Sequence, residues 1–326
     1  MINLKKPVIY ILVLAPNLCF SNSDFLSCKS LFHQQVSPKI VSKKIGSNTY
    51  NFCYSDFAVS YSGISKTGIW SAEYISPQKL KMAKQFPRED NFKEETRVPE
   101  RYRAKLSDYR GSGYDRGHLS ASAQRSSREA QSDSFMLTNI FPQASSNNQG
   151  LWAEIEKATR SYIKKTNQSA YIITGTLFLG PKLKAIGNGL LVPTHVYKVV
   201  YFPTLDVVGA YVAVNDNSGR VDTVSLNQLQ NNSGVVFFPT RINDPLFNMR
   251  FDLPMTPNDV SKIKYIQKKQ SNQSQIFAML PNNSVGSNQK AKQQYVENRN
   301  VAADLGKGMA SELKDVGLNL IRKILY

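Results

Sequence analysis

The chain has 326 residues, with 41 Lys and Arg against 24 Asp and Glu, a formal charge of +17, and only three His and three Cys. Those numbers exclude a disulfide-dense miniprotein, a disordered acidic tail, and a zinc centre built from several His and Cys. At 41% hydrophobic and 10% aromatic residues the chain can bury a sizeable core, and its basic excess attracts polyanions, nucleic acid ahead of an acidic membrane surface.

The chain opens with Lys5 and Lys6, continues through an apolar stretch from Pro7 to Ala15, and reaches small residues at Ser21 and Ser23. A short basic region, an apolar run too brief to span a bilayer and small residues, in that order, predict a secretory signal peptide over 1–23 with a cut after Ser23. A lipoprotein anchor at Cys19 fits less well, because Leu18 is large where a small residue is expected. The expectation is a secreted or periplasmic protein without integral membrane association after cleavage. In an oxidising compartment Cys28 and Cys53 pair most simply with each other, two buried free thiols being the other reading.

Residues 24–255 carry the patterns of one α+β domain with a mostly antiparallel sheet. From about 50 to 80, alternating β-formers around a Gly-containing turn predict a hairpin or meander. Residues 84–113 are charged and broken by Pro87 and Pro99, which suits a surface excursion. Asn147 to Lys165 runs at helical spacing, and four stretches follow as strands: Tyr171–Leu179, Val196–Phe202, Val207–Val214 and Val235–Phe238. Beyond Pro254 the composition turns to Lys, Gln, Ser and Asn. Residues 256–326, with 11 Lys and Arg against 5 Asp and Glu, read as a basic linker and a C-terminal amphipathic helix whose apolar face runs from Ala302 to Ile324.

The chemistry concentrates in Gly113–Ser120. In an extended Asp115-Arg116-Gly117-His118, alternation puts Arg116 and His118 on one face about 6.5 Å apart. A guanidinium grips phosphate oxygens bidentately and a neutral imidazole can take a proton from water, so the pair suits a phosphodiester. Gly117 leaves room for a backbone or a ligand to approach. Downstream, Asn148, Trp152, Glu156 and Arg160 fall at i+4 steps and share one side of a helix. An amide oxygen, a carboxylate and a guanidinium on one strip suit a hard divalent cation and a phosphate. Asn148 and Glu156 stand about 12 Å apart along the axis, so Asn148 takes the direct metal contact and Glu156 a hold on metal-bound water. Magnesium keeps several waters and fits.

These segments resemble the DNA/RNA non-specific endonucleases of the ββα-metal superfamily. The resemblance rests on Asp115-Arg-Gly-His118, on Leu137-Thr-Asn139-Ile-Phe-Pro-Gln143, and on Asn148-Gln-Gly-Leu-Trp152-Ala-Glu-Ile-Glu156. Flanking landmarks are Tyr109–Tyr114, Trp70–Tyr74, Leu191–Lys198 and Phe237–Pro239, so roughly 28–254 is covered. It implies a ββα-metal catalytic motif, His118 as general base, Asn148 as the single direct protein ligand of Mg2+ (Mn2+ substituting), and DNA and RNA as substrates. It further implies that Arg116 and Arg160 stabilise phosphate charge, that Glu156 holds metal waters and that Asn139 organises the site. Ser120–Ala123 departs from the Pro and acidic residue that relatives often carry there; His33 and His195 have no catalytic motif. The competing readings are a secreted nucleic-acid-binding protein on an inactive nuclease fold, and a nuclease restricted to one sugar type.

Overall fold

The computed structural model describes residues 25–269 and 274–277; the expected signal, Cys19 and the Ala302–Ile324 pattern lie outside them. Runs rich in Val, Ile, Thr and Tyr form strands, because branched and aromatic side chains fit a pleated, packed surface. In chain order the elements that build the site and its support are β1 (Thr49–Cys53), β2 (Phe57–Ser62), β3 (Thr67–Ile75), β4 (Asp115–His118), β5 (Ile140–Gln143) and α1 (Trp152–Thr166). They continue with β6 (Ala170–Leu177), β7 (His195–Phe202), β8 (Val207–Val214), β9 (Val221–Val224), α2 (Leu226–Ser233), β10 (Arg250–Phe251), α3 (Pro257–Lys262) and β11 (Lys268–Lys269). The expected meander is β1, β2 and β3.

One seven-stranded sheet has the order β9-β8-β7-β6-β3-β2-β1 and is antiparallel at every step. Every residue of β7 is buried, so both faces of the sheet are covered. Val196, Val200 and Phe202 pack with Trp152, Ile155, Ala158, Tyr162 and Ile163 of α1. The opposite parity, Tyr197, Val199 and Tyr201, packs with Phe25, Leu31, Phe32 and Phe238. Helix α1 buries residues at spacings of three and four and stops at Asn167, which takes the left-handed conformation of a helix C-terminus (φ 52°).

Cys28 and Cys53 form a disulfide with Cα atoms 5.8 Å apart. It ties the N-terminal turn to the start of the sheet, where Phe25 and Phe32 stack around Trp70 at 5.1 and 6.2 Å.

The packed body continues past the expected boundary at 255. Val260 of α3 and Ile266 join the α1 side of the core, and β11 pairs with β10. Lys165 Nζ donates to the carbonyls of Val260, Ser261 and Ile263 at 2.7–3.1 Å. Ile276 reaches the opposite core. The composition of these residues reads as linker, but Val260, Ile266 and Ile276 are buried.

Candidate active site

β4 and β5 form a separate two-stranded antiparallel ribbon, with Arg116 opposite Pro142 and His118 opposite Ile140. With no third strand, Pro142 deprives no further neighbour of a donor. A Cβ built on Gly117 would meet Gln143 Oε1 at 2.0 Å and Gln143 Cβ at 2.7 Å. The glycine therefore makes room for a buried side chain of the neighbouring strand, not for the ligand or backbone that its size suggested.

The His118 ring is half-buried, edge-on to Phe135 at 5.0 Å and 5.7 Å from Phe92. Burial, reinforced by the Arg88 charge, pushes its pKa down to about 3, so the imidazole is neutral near pH 7. Nε2 is sealed from solvent and has no hydrogen-bond partner among the described residues, which leaves Nδ1 as the ring nitrogen able to meet water. Asn139 is fully buried just behind. Its Oδ1 accepts from the Ser120 N–H, and its Nδ2 donates to the carbonyls of Ser120 and Ser134, all at 2.9 Å. It clamps the backbone leaving His118 and does not line the cavity that His118 faces.

The regular helical strip expected from Asn148 to Arg160 holds only from Trp152 onward. Asn147–Leu151 form a wider π-turn, with Gly150 at φ −102°, ψ −105°, outside helical space. Asn148 stands on this turn, where its Nδ2 donates to Asp115 Oδ2 at 2.9 Å. Asp115 also accepts from Ser145 Oγ at 2.7 Å and Gln149 Nε2 at 2.8 Å. Burial alone would raise its pKa; the bonds from Asn148, Ser145 and Gln149 prevail and hold the carboxyl below the usual range. An ionised carboxylate only accepts, so the Asn148 amide nitrogen must face it and the carbonyl oxygen is left free for another partner.

His118, Asn148, Trp152 and Glu156 line one cavity of about 260 Å³ together with Arg88. An adjoining cavity of about 490 Å³ shares Arg88 and Asn148 and adds Arg116. Arg160 lines neither; it lies 3.9 Å from Glu156. Under α1 the sheet presents Lys198 and Glu73, each 2% exposed. Lys198 Nζ donates to Thr174 Oγ1 at 2.8 Å and sits 5.4 Å from the centre of the Trp152 ring. Burial raises the pKa of Glu156 and lowers that of Lys198, and each charge opposes the other's shift. Glu73 pairs with the buried Arg125 and accepts from Gln124 Nε2 at 2.6 Å, which anchors the segment that follows His118.

The model of the DNA/RNA non-specific endonuclease family matches residues 37–242, well over half of the chain. The chain belongs to that family. It is 32% identical over 206 residues to the mitochondrial endonuclease G of Homo sapiens, covering 56% of this chain and 67% of that one. It is 32% identical over 202 residues to nuclease C1 of Cunninghamella echinulata var. echinulata, covering 56% and 80%. A chain in the crystal structure of the EndoG/EndoGI complex superposes with a TM-score of 0.54 at 26% identity, over 60% of this chain and 89% of that one.

Three parts of this endonuclease's site escaped the reading of the sequence. Arg88 lines both cavities and lies 5.3 Å above the Phe135 ring, its guanidinium held by Asp90 at 2.5 Å. It lies in the charged 84–113 segment, where no periodicity points inward. Strand alternation turns Asp115 away from the face of Arg116 and His118, and its bond to Asn148 is made only in the fold. Lys198 did leave a signal: it shares strand parity with Val196 and Val200, which demands burial on the α1 side.

Proposed function

We propose that this endonuclease hydrolyses the phosphodiester bonds of DNA and RNA with little sequence specificity, using His118 as general base and a Mg2+ ion held directly through Asn148. The observation that carries this reading is the Asp115 lock, which leaves the Asn148 carbonyl oxygen free beside a cavity that a neutral His118 and Glu156 also line. Among the described residues no cluster of three or more His, Cys, Asp or Glu could cage an ion. A cation held through Asn148 alone would keep most of its water, which suits Mg2+, with Mn2+ able to substitute.

Nδ1 of His118 takes the proton of a water that attacks phosphorus, and the bond to the 3′-oxygen breaks, leaving 5′-phosphate ends. Arg116 and Arg88 bind the non-bridging oxygens through charge-assisted hydrogen bonds. Glu156 would accept hydrogen bonds from waters of a bound cation, and the charges of Lys198 and Arg160 oppose the effect of burial on its carboxyl. When bound, the cation supplies positive charge against the phosphate and the departing oxygen. Weak base preference follows, because phosphate contacts carry no sequence information.

The test is digestion of plasmid and total RNA by the purified chain, with and without EDTA. EDTA should stop cleavage of both, and His118→Ala should slow it by at least about 100-fold while leaving DNA affinity within a few-fold. Cleavage undiminished by EDTA would overturn the metal assignment, and undiminished turnover in His118→Ala would overturn the base. A shifted band on a gel with intact plasmid would favour a binder. We further propose export, supported by the basic-apolar-small N-terminus and the Cys28–Cys53 disulfide. Protein recovered outside the cytoplasm should then begin at Asp24, whereas an uncleaved Met1 start would count against it.

A further inference from the structure

The larger cavity beside the catalytic ribbon extends beyond the groups that the proposed hydrolysis uses. Its lining includes Tyr109, Arg110 and Tyr114, and Lys184 of the hairpin 184–192 stands against Tyr114. Lys184 Nζ lies 3.4 Å from the Tyr114 hydroxyl and 5.9 Å from the centre of its ring. Arg110 and Lys184 are exposed and Tyr114 is half-exposed, so two cations and an aromatic face are offered to solvent side by side.

This wall is preformed. The hairpin tip docks on the turn that carries Tyr109: the Asn188 N–H donates to Asp108 Oδ1 at 2.8 Å, and Lys66 Nζ donates to the Asn188 carbonyl at 2.7 Å. Gly187 has positive φ, and any Cβ there would strike Asp108 at 2.3 Å, so the approach is tight. Leu190, Tyr109, Leu137 and Ile140 form a small core beneath. The acidic residues that line the cavity are already engaged, Asp90 by Arg88 and Asp115 by three hydrogen bonds. Arg88, Arg110 and Arg116 line the cavity against Asp90 and Asp115, so one positive charge is left over, and Lys184 adds a second.

Tyr109 is only 8% exposed and its hydroxyl is sealed from solvent, so it supports the wall from beneath and Tyr114 supplies the aromatic face that a ligand can reach.

We propose that this cavity is a subsite for an unstacked nucleotide next to the scissile phosphate. The base stacks on Tyr114, and the flanking phosphate meets Arg110 and Lys184. Aromatic stacking tolerates any base, and cations follow the backbone. At about 490 Å³ the cavity falls within the roughly 300–1,000 Å³ range of small-ligand sites. A paired base in a duplex cannot enter, so the subsite favours single-stranded DNA and RNA over intact duplex. This inference rests on the nuclease reading of the neighbouring site.

The test uses the full chain carrying His118→Ala, and compares an oligothymidine single strand with an all-abasic strand of equal length. The parent should bind the base-bearing strand more tightly. Tyr114→Ala should abolish that difference, a loss of roughly ten-fold, while Tyr114→Phe keeps it because the ring remains. Lys184→Ala, an exposed change without folding risk, should lower the slope of log affinity against log salt by about 0.7 on both strands. Equal binding of the two strands by the parent, or unchanged discrimination in Tyr114→Ala, would overturn the subsite. If the wild-type chain cleaves plasmid and RNA while Tyr114→Ala changes nothing, the subsite falls and the nuclease reading stands. If the strands bind as expected but nothing is cleaved, the nuclease reading falls and the nucleotide site stands.

Discussion

At the scale of single residues, the site depends on which atom a side chain presents. Asn148 could turn either end of its amide toward a cation, and the Asp115 carboxylate makes the choice by accepting its nitrogen at 2.9 Å. Removing that acceptor frees the amide to rotate. Asp115→Ala is therefore expected to lower activity by about 10–100-fold and to shift the Mg2+ requirement upward, as loss of an orienting partner does at metal sites. Activity titrated against Mg2+ decides it: an unchanged half-saturating concentration would show that Asp115 does not orient the ligand. The residues His118 and Asn148 were legible in the sequence. The bond between Asp115 and Asn148 was not, because it spans 33 residues and depends on a π-turn that helical periodicity does not foresee.

At the scale of elements, β4 carries two groups of the site only because Gly117 lies against the fully buried Gln143, whose Nε2 donates to Asn147 Oδ1 at 2.6 Å. Gly117→Ala must displace Gln143 and strain the turn that bears Asn148. A stability loss of roughly 1–3 kcal/mol is expected, with activity falling further than the unfolded fraction accounts for. Urea midpoints and turnover measured on the same sample test this; a stable, fully active variant would refute it. His195 on β7 supplies a pH test of the same sheet. It is 8% exposed, and burial followed by the Arg220 charge push its pKa down to about 4. Between about pH 6.5 and 4 the unfolded chain binds the extra proton, so this contribution is complete above 6.5 and is lost as pH falls. His195→Gln should flatten the acid limb of stability by at most about 3 kcal/mol between pH 7 and 4. A limb equally steep in the variant would assign the acid loss to other groups, with His118 the next to examine.

At the scale of the whole molecule, the chain beyond 255 divides into a packed part and a part outside the described residues. A chain ending at Ser261 loses Ile266 and Ile276 from the two cores and the β10–β11 pairing. Two such burials are worth roughly 3–6 kcal/mol, a large share of a typical domain's stability. That shorter chain should be strongly destabilised, whereas one ending at Phe277 should melt within a few degrees of the full length and keep its turnover. The remaining residues, 278–326, carry seven Lys and Arg against four Asp and Glu. Their removal should lower the salt slope of DNA binding by at most about 6, and an unchanged slope would show that they make no phosphate contact. At the other end, replacing Cys28 and Cys53 by Ala should cost roughly 3.5 kcal/mol, the loop-closure value for a separation of 25 residues. Urea unfolding with and without reductant measures it; coincident curves would mean that the bond contributes nothing to stability.

What the sequence determined by itself was local. Period-two runs of β-formers specified strands, the order of Asp115–His118, Leu137–Gln143 and Asn148–Glu156 specified a family, and two cysteines left after the expected cleavage specified a disulfide. Each of these signals is carried by residues whose spacing along the chain matters. Tertiary structure alone decided the rest. Arg88 enters the site from a segment without periodicity, Val260, Ile266 and Ile276 pack despite the linker-like composition around them, and Lys198, Glu73 and Arg125 meet beneath α1 from three separate parts of the chain. Burial and charge pairing act through space, and one-dimensional patterns record them only where a strand or helix repeats them.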